Sequence, residues 1–282
     1  MEHRLIINAD DFGLCESVNK GIVEAHTKGV LTSTTIMTNM PAAEQAADLA
    51  KNLPTLGLGV HLNLTAGKPI CQDNTVKLIL DSQGYFALSP GKLALASLIT
   101  GKVRTTIETE LASQIQWLID KRIKPTHLDS HKHIHSFPTI FPIVCRLAKR
   151  FGISAIRYTF EPKQVSQLPW PVTDRESRKR ASLVRTMAKI NRWQNPVFFK
   201  TDALLGVAHV GTINAAFMRA VSLYNIASTA ELMTHPGYTY DLDVTRTRLV
   251  NQREVELEAL CSEKTKQYLK DAGIKLIHYD QL

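Results

Sequence analysis

Short apolar segments that suit β-strands alternate with longer amphipathic segments along most of this 282-residue chain. We predict strands at 4–9, 31–37, 56–65, 155–159, 202–207, 228–234 and 275–279, and one more through His127 and Asp129. We predict helices at 16–29, 42–51, 89–99, 105–123, 139–151 and 212–224, and at least one within 251–272. Strands separated by helices favour an α/β fold with a mostly parallel sheet, either open or closed into a barrel.

Polar residues recur where these predicted strands end. They are Asp10, Asp11, His61, Arg157, His235 and the histidine-rich segment 127–135. In parallel α/β folds the carboxyl ends of the strands meet at one edge, and that edge carries the functional site. An isolated histidine on a strand is usually a satisfied core or surface group. The coincidence of several polar strand ends nevertheless favours a metal-ligand role for His61.

The segment 127–135 reads His-Leu-Asp-Ser-His-Lys-His-Ile-His and holds four of the ten histidines of the chain. In a single extended strand, its histidines and Asp129 would all share one face. One metal ion does not need five ligands from one strand. We therefore expect a strand through His127 and Asp129 that ends near His131 and continues as a loop. One or two of these side chains would bind metal, and the others would orient ligands or contact substrate.

Asp10 and Asp11 form a carboxylate pair at the end of the first predicted strand. Adjacent strand residues point to opposite sides, so the pair can serve one site only if the backbone turns there. Gly13 supplies the conformational freedom for such a turn. Capping of the helix that follows would use one aspartate and leave the other unexplained.

Together these residues suit a mononuclear metal site with open coordination positions. Asp11, His61 and one histidine of the 127–135 segment are candidate ligands, with Asp10 as general base and His235 as acid. A divalent ion would lower the pKa of its water to about 7 and polarise a carbonyl oxygen, which favours hydrolysis of an amide or ester. The remaining polar residues near the strand ends are candidates for substrate contact: Asn63, His133, His135 and Arg157.

Four segments also carry a resemblance to a known family. They are Asn-Ala-Asp-Asp-Phe-Gly (8–13), Gly-Val-His-Leu-Asn-Leu-Thr (59–65), Pro-Thr-His-Leu-Asp-Ser-His-Lys-His-Ile-His (125–135) and Glu-Leu-Met-Thr-His-Pro-Gly (231–237). In this order they resemble the YdjC-like carbohydrate deacetylases, which include chitooligosaccharide deacetylases and deacetylases associated with hopanoid biosynthesis. The resemblance implies a deformed (β/α) barrel of the glycoside hydrolase/deacetylase type. It also implies removal of an N-acetyl group from an amino sugar, oligosaccharide or lipid-linked, with release of acetate.

Position by position, the resemblance implies that Asp11, His61 and His131 bind one divalent metal ion, Mg²⁺ or Zn²⁺. It makes Asp10 the catalytic base and His235 the second catalytic histidine, which we expect to act as the acid. A water on the ion would attack the amide carbonyl. Family members often form dimers, which makes a homodimer a candidate assembly.

We predict one domain over 1–282, with a basic amphipathic insertion at about 163–199. Between 163 and 200, nine Lys or Arg residues face two acidic ones, which accounts for nearly all of the net charge of +8. The rest of the chain is close to neutral, which argues against a nucleic-acid-binding protein. Two interpretations of the insertion remain open. We favour a helix that covers the barrel with a solvated basic face; the alternative is an arm that contacts a membrane surface or an acidic substrate.

Cysteine spacing and hydropathy bear on the compartment. The four cysteines are widely separated and form no Cys-x-x-Cys pair, which indicates free thiols in a reducing environment. The sequence begins without a signal-peptide pattern, and no apolar run is long enough to span a membrane. We therefore expect a cytoplasmic protein.

Two other functions remain open from the sequence. Histidine-rich segments and paired aspartates also build phosphoesterase sites on barrels, with two metal ions about 3.5–4 Å apart. A metal ion closed off by about four protein ligands would instead be structural, and the chain would then be a binding protein. Metal stoichiometry and the effect of Asp10→Asn separate these alternatives from a deacetylase.

Overall fold

The computed structural model describes residues 3–166, 174–223, 228–244 and 247–282. Its strands are β1 (His3–Phe12), β2 (Ser33–Ile36), β3 (Gly57–Leu62), β4 (Leu128–Ser130), β5 (Ala203–Leu205), β6 (Thr229–Thr234) and β7 (Ile274–Leu276). Its α-helices are α1 (Glu16–Thr27), α2 (Ala43–Lys51), α3 (Pro90–Ile99), α4 (Gly101–Asp120), α5 (Phe141–Phe151), α6 (Lys163–Ser166), α7 (Arg175–Gln194), α8 (Ala215–Leu223), α9 (Gln252–Cys261) and α10 (Glu263–Asp271). Short 3₁₀ helices span Asn74–Ile79, His131–Ser136, Pro196–Phe198 and Tyr279–Gln281. Residues 167–173 of the predicted insertion and Tyr224 of a predicted helix lie outside the described residues.

The sheet is parallel, with the strand order β4-β3-β2-β1-β6-β5, and β7 pairs with the start of β1. β1 is central, because it pairs with β6 over 4–9, with β7 over 3–5 and with β2 over 8–12. Its β-branched residues Ile6 and Ile7 are fully buried, as expected for a parallel strand covered on both faces. The predicted α/β fold with mostly parallel strands is confirmed.

The segment 155–160 joins the two edges of this sheet. The backbone of Leu128 in β4 forms hydrogen bonds with residues 155 and 157, and Leu204 of β5 donates to the carbonyl of Phe160. The sheet is therefore curled, and its ends are connected through this segment. This arrangement agrees with the deformed barrel that the sequence resemblance implied.

The predicted regular strand at 155–159 is wrong. Among the described residues, Ile156 pairs in an isolated parallel bridge with Leu128. Its own N–H donates to the carbonyl of Phe198, which lies in a 3₁₀ helix and offers no ladder of further partners. Strand-like composition is thus insufficient where the neighbouring chain is not itself extended.

The helices cover the sheet with the apolar stripes that their sequences predict. α4 buries Ile107, Leu111, Ile115 and Leu118. It begins a turn earlier than predicted, because the Thr100 side chain caps it by accepting a hydrogen bond from the backbone N–H of residue 102. Within the described ranges, no helix combines the length and apolar character needed to cross a membrane.

Candidate metal centre and catalytic residues

Asp10 and Asp11 reach the same site because the backbone of β1 turns at Asp11. Asp11 has a φ of 69°, and the register between β1 and β2 shifts between Ala9 and Phe12. A non-glycine residue in the left-handed region costs roughly 1–2 kcal/mol and persists where its surroundings fix it. The sequence predicted a turn from Gly13, which has a φ of 94°. The structure shows that Asp11 itself turns as well.

Three side chains meet at the carboxyl edge of the sheet: Asp11 of β1, His61 of β3 and His131, which follows β4. Asp11 Oδ1 lies 3.6 Å from His61 Nε2 and 3.3 Å from His131 Nδ1. One ligand atom from each residue lies within 4.8 Å of the others. The side chain of His131 is 23% exposed, whereas Asp11 and His61 are buried. The cluster is therefore open to solvent on one side.

His61 is oriented by a second carboxylate behind it. Its Nδ1 lies 2.8 Å from Asp129 Oδ1 and 3.1 Å from Thr35 Oγ1, and the threonine donates to Asp129 Oδ2. These contacts aim Nε2 at Asp11, an arrangement typical of metal-binding histidines. Burial acts to lower the pKa of His61, but the carboxylates of Asp129, Asp10 and Asp11 outweigh it and raise the pKa to about 9. The environment of this ring therefore favours a positive charge.

Arg157 is fully buried and is bound by three carboxylates. Its Nη1 and Nη2 donate to Asp10 at 2.8 and 2.6 Å, and its Nε donates to Glu231 at 2.8 Å. Nη1 also lies 2.8 Å from Asp129 Oδ2. Burial acts to raise the pKa of Asp10, but the charge of Arg157 outweighs it and holds the pKa well below its usual range. Arg157 thus holds Asp10 ionised and in place, and its contact with substrate stays a prediction.

The residues around the cluster fit one divalent cation. Asp11 Oδ1 is buried and lacks a hydrogen-bond partner among the described residues, although two imidazole nitrogens lie near it. The buried ionisable groups around it include five carboxylates and two guanidinium groups, those of Asp10, Asp11, Asp129, Glu231, Glu256, Arg157 and Arg253. Carboxylates therefore outnumber guanidinium groups in this region. A divalent ion would offset this excess, and buried charges require such compensation.

A second group of potential ligands consists of Asp10, His61 and Asp129. Arg157 Nη1 lies 2.8 Å from Asp10 Oδ2 and 2.8 Å from Asp129 Oδ2, so its guanidinium already serves as the cation between them. His61 Nδ1 is also engaged by Asp129. The geometry therefore favours the cluster of Asp11, His61 and His131 over this second group.

His235 follows β6 and faces Asp10. Its Nε2 lies 4.0 Å from Asp10 Oδ2, and its Nδ1 lies 3.9 Å from Glu256 Oε2. Its backbone N–H donates to the same Glu256 oxygen at 2.5 Å. Burial lowers the pKa of His235 to about 4, against the opposing charges of Asp10 and Asp11. The side chain is 11% exposed, so it can reach a molecule bound at the cluster.

Sequence reasoning missed the contribution of α9. Arg253 Nη2 donates to Asp11 Oδ2 at 2.6 Å, and Glu256 accepts from the backbone of His235 and of Gly211. Burial raises the pKa of Glu256 to about 7. The buried face of α9 includes Arg253, Glu256, Leu257 and Leu260. Two charged residues on the core-facing stripe of an amphipathic helix are the signal that could have revealed them.

The loop after β4 turns as the sequence predicted, and it separates the histidines. Lys132 and His133 each have a φ of 54°, within the 3₁₀ helix that begins at His131. His133 is 8% exposed and stays a candidate for substrate contact. His135 is 1% exposed, and both its backbone N–H and its Nδ1 contact the hydroxyl of Ser130. Its Nε2 has no hydrogen-bond partner among the described residues, and the substrate contact of His135 stays a prediction.

Asn63 organises the turn that follows β3. It is fully buried, and its Nδ2 donates to Asn39 Oδ1 at 3.0 Å and to the carbonyl of Ala66 at 2.7 Å. Its Oδ1 accepts from the backbone N–H groups of Thr65 and Ala66. Both ends of its amide are therefore engaged within the protein, and its contact with substrate stays a prediction.

A buried network extends from Asp10 to the 3₁₀ helix at 279–281. Arg157 links Asp10 to Glu231, and the Tyr279 hydroxyl donates to Glu231 Oε2. The Tyr279 ring stacks on His127 with a centroid distance of 3.7 Å. Burial raises the pKa of Glu231, although Arg157 and Tyr279 act to lower it. The signal in the sequence was a carboxylate in the middle of an otherwise apolar strand.

A family model described as YdjC-like protein matches residues 4–271. The chain belongs to the YdjC-like family. A carbohydrate deacetylase of Brevibacillus brevis is 36% identical over 99% of both chains. A chitooligosaccharide deacetylase of Salmonella typhimurium is 33% identical, over 98% of this chain and 97% of the relative. The crystal structure of an Enterococcus faecalis protein named for cellobiose-phosphate cleavage has a TM-score of 0.78 at 25% identity, covering 100% of this chain and 99% of that chain.

The resemblance drawn from four sequence segments is thus confirmed at the level of the family. The five residues that it singled out lie inside the YdjC-like match, and the structure brings them together at one edge of the sheet: Asp10, Asp11, His61, His131 and His235. Their individual roles stay predictions. Tyr279 lies beyond the matched range but belongs to the same buried network.

Proposed function

We propose that this YdjC-like protein is a metal-dependent carbohydrate deacetylase. It would hydrolyse the N-acetyl group of an acetylated amino sugar, in an oligosaccharide or attached to a lipid, and release acetate. The observation that carries this proposal is the cluster of Asp11, His61 and His131, with Asp10 and His235 beside it at an open edge. The relatives named carbohydrate deacetylase and chitooligosaccharide deacetylase support the substrate class.

One divalent ion held by Asp11, His61 and His131 would supply Lewis-acid chemistry, by polarising the acetamide carbonyl and acidifying a water. Two imidazoles and one carboxylate form a donor set that suits zinc, whereas magnesium prefers oxygen ligands. Of Mg²⁺ and Zn²⁺, we therefore favour Zn²⁺. Asp129 behind His61 and Arg253 behind Asp11 would orient two of the three ligands.

Asp10 and His235 would handle the proton. Asp10 is held ionised by Arg157 next to the ligand Asp11, and from there it takes the proton of the water that attacks the acetyl carbonyl. His235 Nε2, 4.0 Å from Asp10 Oδ2, passes that proton to the sugar nitrogen as the carbon–nitrogen bond breaks. One proton of the water thus moves to the amine as the carbon–nitrogen bond breaks. The second proton, left on the new carboxyl group, then passes to the amine, so that the products are acetate and the protonated amino sugar.

A phosphoesterase is the rival function, and the relative named for cellobiose-phosphate cleavage keeps it open. Two-metal phosphoesterases need a second cation about 3.5–4 Å from the first. Here the guanidinium of Arg157 lies between the carboxylates of Asp10 and Asp129, at the position where a second cation would bind. The geometry therefore favours a mononuclear deacetylase.

The decisive experiment measures acetate released from N-acetylglucosamine oligomers and from a lipid-linked N-acetylglucosamine. Each reaction is run with bound metal, with chelator, and with zinc or magnesium restored. We expect acetate release that the chelator abolishes, and a kcat that Asp10→Asn lowers by at least about 100-fold, as for loss of a general base. Asp48→Asn, at an exposed carboxylate of α2, is the matched control and should leave kcat unchanged.

Acetate release that persists in chelator would overturn the metal requirement. Equal rates for Asp10→Asn and the wild type would remove Asp10 from the mechanism. If no substrate yields acetate but a sugar phosphate is hydrolysed with two bound ions per chain, the phosphoesterase replaces the deacetylase.

A further inference from the structure

One side of α7 exposes large apolar side chains to solvent. Leu183, Ile190 and Trp193 are 57%, 41% and 86% exposed, and Val197 just beyond the helix is 69% exposed. Within α7 the spacing of seven and three residues places Leu183, Ile190 and Trp193 along one side of the helix. The buried face lies next to this stripe, with Val184, Met187, Ala188 and Asn191 among its members. A contiguous exposed stripe of this kind is typical of an interaction site rather than of ordinary surface.

Basic residues flank this apolar stripe. Between 174 and 200 the exposed charged residues are seven cations against two anions: Arg175, Arg178, Lys179, Arg180, Lys189, Arg192 and Lys200 against Asp174 and Glu176. The net charge of this surface is 7 − 2 = +5, which is more than half of the net charge of +8 of the chain. Its combination of exposed Trp, Leu and Ile with Lys and Arg is the composition of a helix that lies in a membrane interface.

A groove continues the surface where α7 ends. It has a volume of about 330 Å³ and lies between α5 and residues 194–198. Phe141, Pro142 and Phe198 supply apolar lining, and Arg146 and Lys149 supply positive charge. Apolar lining beside cationic side chains suits the acyl chain and anionic head group of a lipid.

The position of α7 connects this surface to the catalytic edge. The inner face of α7 packs against the 3₁₀ helix His131–Ser136, and Asn191 Nδ2 donates to the carbonyl of Ser136 at 2.8 Å. The same 3₁₀ helix begins with the candidate ligand His131. α7 therefore packs directly on the element that carries this candidate ligand.

We propose that α7 docks this protein onto an anionic lipid bilayer, with the apolar stripe in the interface and the basic residues on the lipid head groups. The proposal rests on the surface of α7 and the adjoining groove, and it does not depend on the proposed reaction. The protein would then bind reversibly, since a single interfacial helix gives weaker attachment than a membrane-spanning one.

Dimerisation through α7 is the alternative, because an exposed apolar stripe could also pack against the same stripe of a second copy. Packing two α7 helices face to face would bring two clusters of basic side chains together. Like charges in contact oppose association, whereas an anionic surface complements them. The charge of this face therefore favours lipid.

The test is sedimentation of the full-length protein with sucrose-loaded vesicles of phosphatidylcholine alone or mixed with phosphatidylglycerol. We expect binding to the anionic vesicles and little to the neutral ones, with binding that weakens as salt rises. Trp193→Ser, and separately Arg178→Gln with Lys189→Gln, should each reduce vesicle affinity by about tenfold or more. The matched controls are Val255→Ser on α9 and Lys264→Gln with Lys270→Gln on α10, which should bind like the wild type.

Equal binding to neutral and anionic vesicles, or α7 variants that bind as well as the controls, would overturn the proposal. Light scattering on the same samples tests the alternative. A dimer that Trp193→Ser converts to a monomer, without any vesicle binding, would assign the stripe to a second copy. All of the substituted side chains are exposed, so an unchanged Tm is expected and shows that each variant is folded.

Discussion

Arg157 shows how one buried side chain sets the state of its neighbours. Its guanidinium contacts the carboxylates of Asp10, Asp129 and Glu231 at once, so each carboxylate depends on the same cation. Removing one partner of a buried ion pair costs about 3–5 kcal/mol, because the remaining charge is left uncompensated. Direct substitution of Arg157 would therefore report on folding before it reports on catalysis, and Tyr279 is a gentler probe of the network.

Tyr279→Phe should lower the kcat of acetate release by about fivefold and leave KM unchanged, since one hydrogen bond of this kind contributes about 1 kcal/mol. The variant keeps the ring that stacks on His127 but loses the hydroxyl that holds Glu231. Steady-state kinetics measures both constants. Tyr268→Phe on α10 is the matched control. A rise in KM with unchanged kcat would place Tyr279 in substrate binding instead of in the positioning of Asp10.

Arg253→Met should weaken zinc binding by about 10–100-fold, as is typical when a residue that orients a ligand is lost. Arg253 Nη2 holds Asp11 Oδ2 at 2.6 Å and leaves Oδ1 to face the two imidazoles. Competition with a fluorescent chelator measures the affinity, and Glu258→Gln on the exposed side of the same helix is the control. Tighter zinc binding by Arg253→Met would show that the charge of Arg253 repels the ion more than its hydrogen bond orients the ligand.

At this scale, the sequence reveals the reactive groups better than their partners. Asp10, Asp11 and His61 could be found because carboxylates and imidazoles stand out at the ends of apolar strands. The residue types of Asn63 and His135 suit substrate contact, but residue type does not show that both side chains are buried. The contact between Arg253 and Asp11 joins residues 242 positions apart, and no local pattern encodes such a pair.

Among the elements, the connection between β5 and α8 carries a buried histidine that the proposed mechanism does not use. His209 is fully buried, its ring lies 4.7 Å from that of Phe217, and neither ring nitrogen has a hydrogen-bond partner among the described residues. Burial lowers the pKa of His209 to about 4. Between about pH 4 and pH 6.5, His209 is therefore neutral in the folded protein, whereas the same histidine is charged in the unfolded chain.

The free energy of unfolding should fall as the pH drops from about 6.5 towards 4, because the unfolded chain takes up a proton at His209 that the folded protein excludes. The contribution of the neutral His209 to the free energy of unfolding is complete above the pKa of the unfolded chain. At pH 5 this contribution has fallen by roughly 2 kcal/mol. Urea unfolding at a series of pH values measures it. In His209→Leu this loss should be absent, whereas His3→Leu, near the start of β1, should retain it. Parallel pH curves for the wild type and His209→Leu would contradict the assignment.

The existence of most elements could be predicted because periodicity records which face of a segment is buried. The apolar stripe of α4 and the strand with alternating His61 and Asn63 are examples. The segment 155–160 could not be predicted in the same way, since its pairing depends on β4 and β5, which lie before and after it in the chain. The observed start of a helix differs from the predicted start where a side chain caps the helix, as Thr100 does for α4.

For the molecule as a whole, the excess of buried carboxylates over guanidinium groups makes metal binding a contribution to stability. Zinc should raise the apparent free energy of unfolding, by about 2.7 kcal/mol when the free ion exceeds its Kd by 100-fold. Thermal unfolding with zinc and with chelator measures the change in Tm. Asp11→Asn should abolish the zinc effect, and the exposed Asp48→Asn should retain it. An unchanged Tm in both conditions would contradict a metal centre in the folded protein.

The pairing of β1 also fixes when the protein can become active during its synthesis. A ribosome makes β1 before every other strand of the sheet, yet β1 is paired with β6 and β7, which are made last. Asp10 and Asp11 therefore emerge long before His235 and Arg253, which face or hold them. A nascent chain carries these carboxylates without their final neighbours until translation is almost finished. A product that terminates before β6 holds Asp11, His61 and His131 but lacks His235 and Arg253, so its site is incomplete.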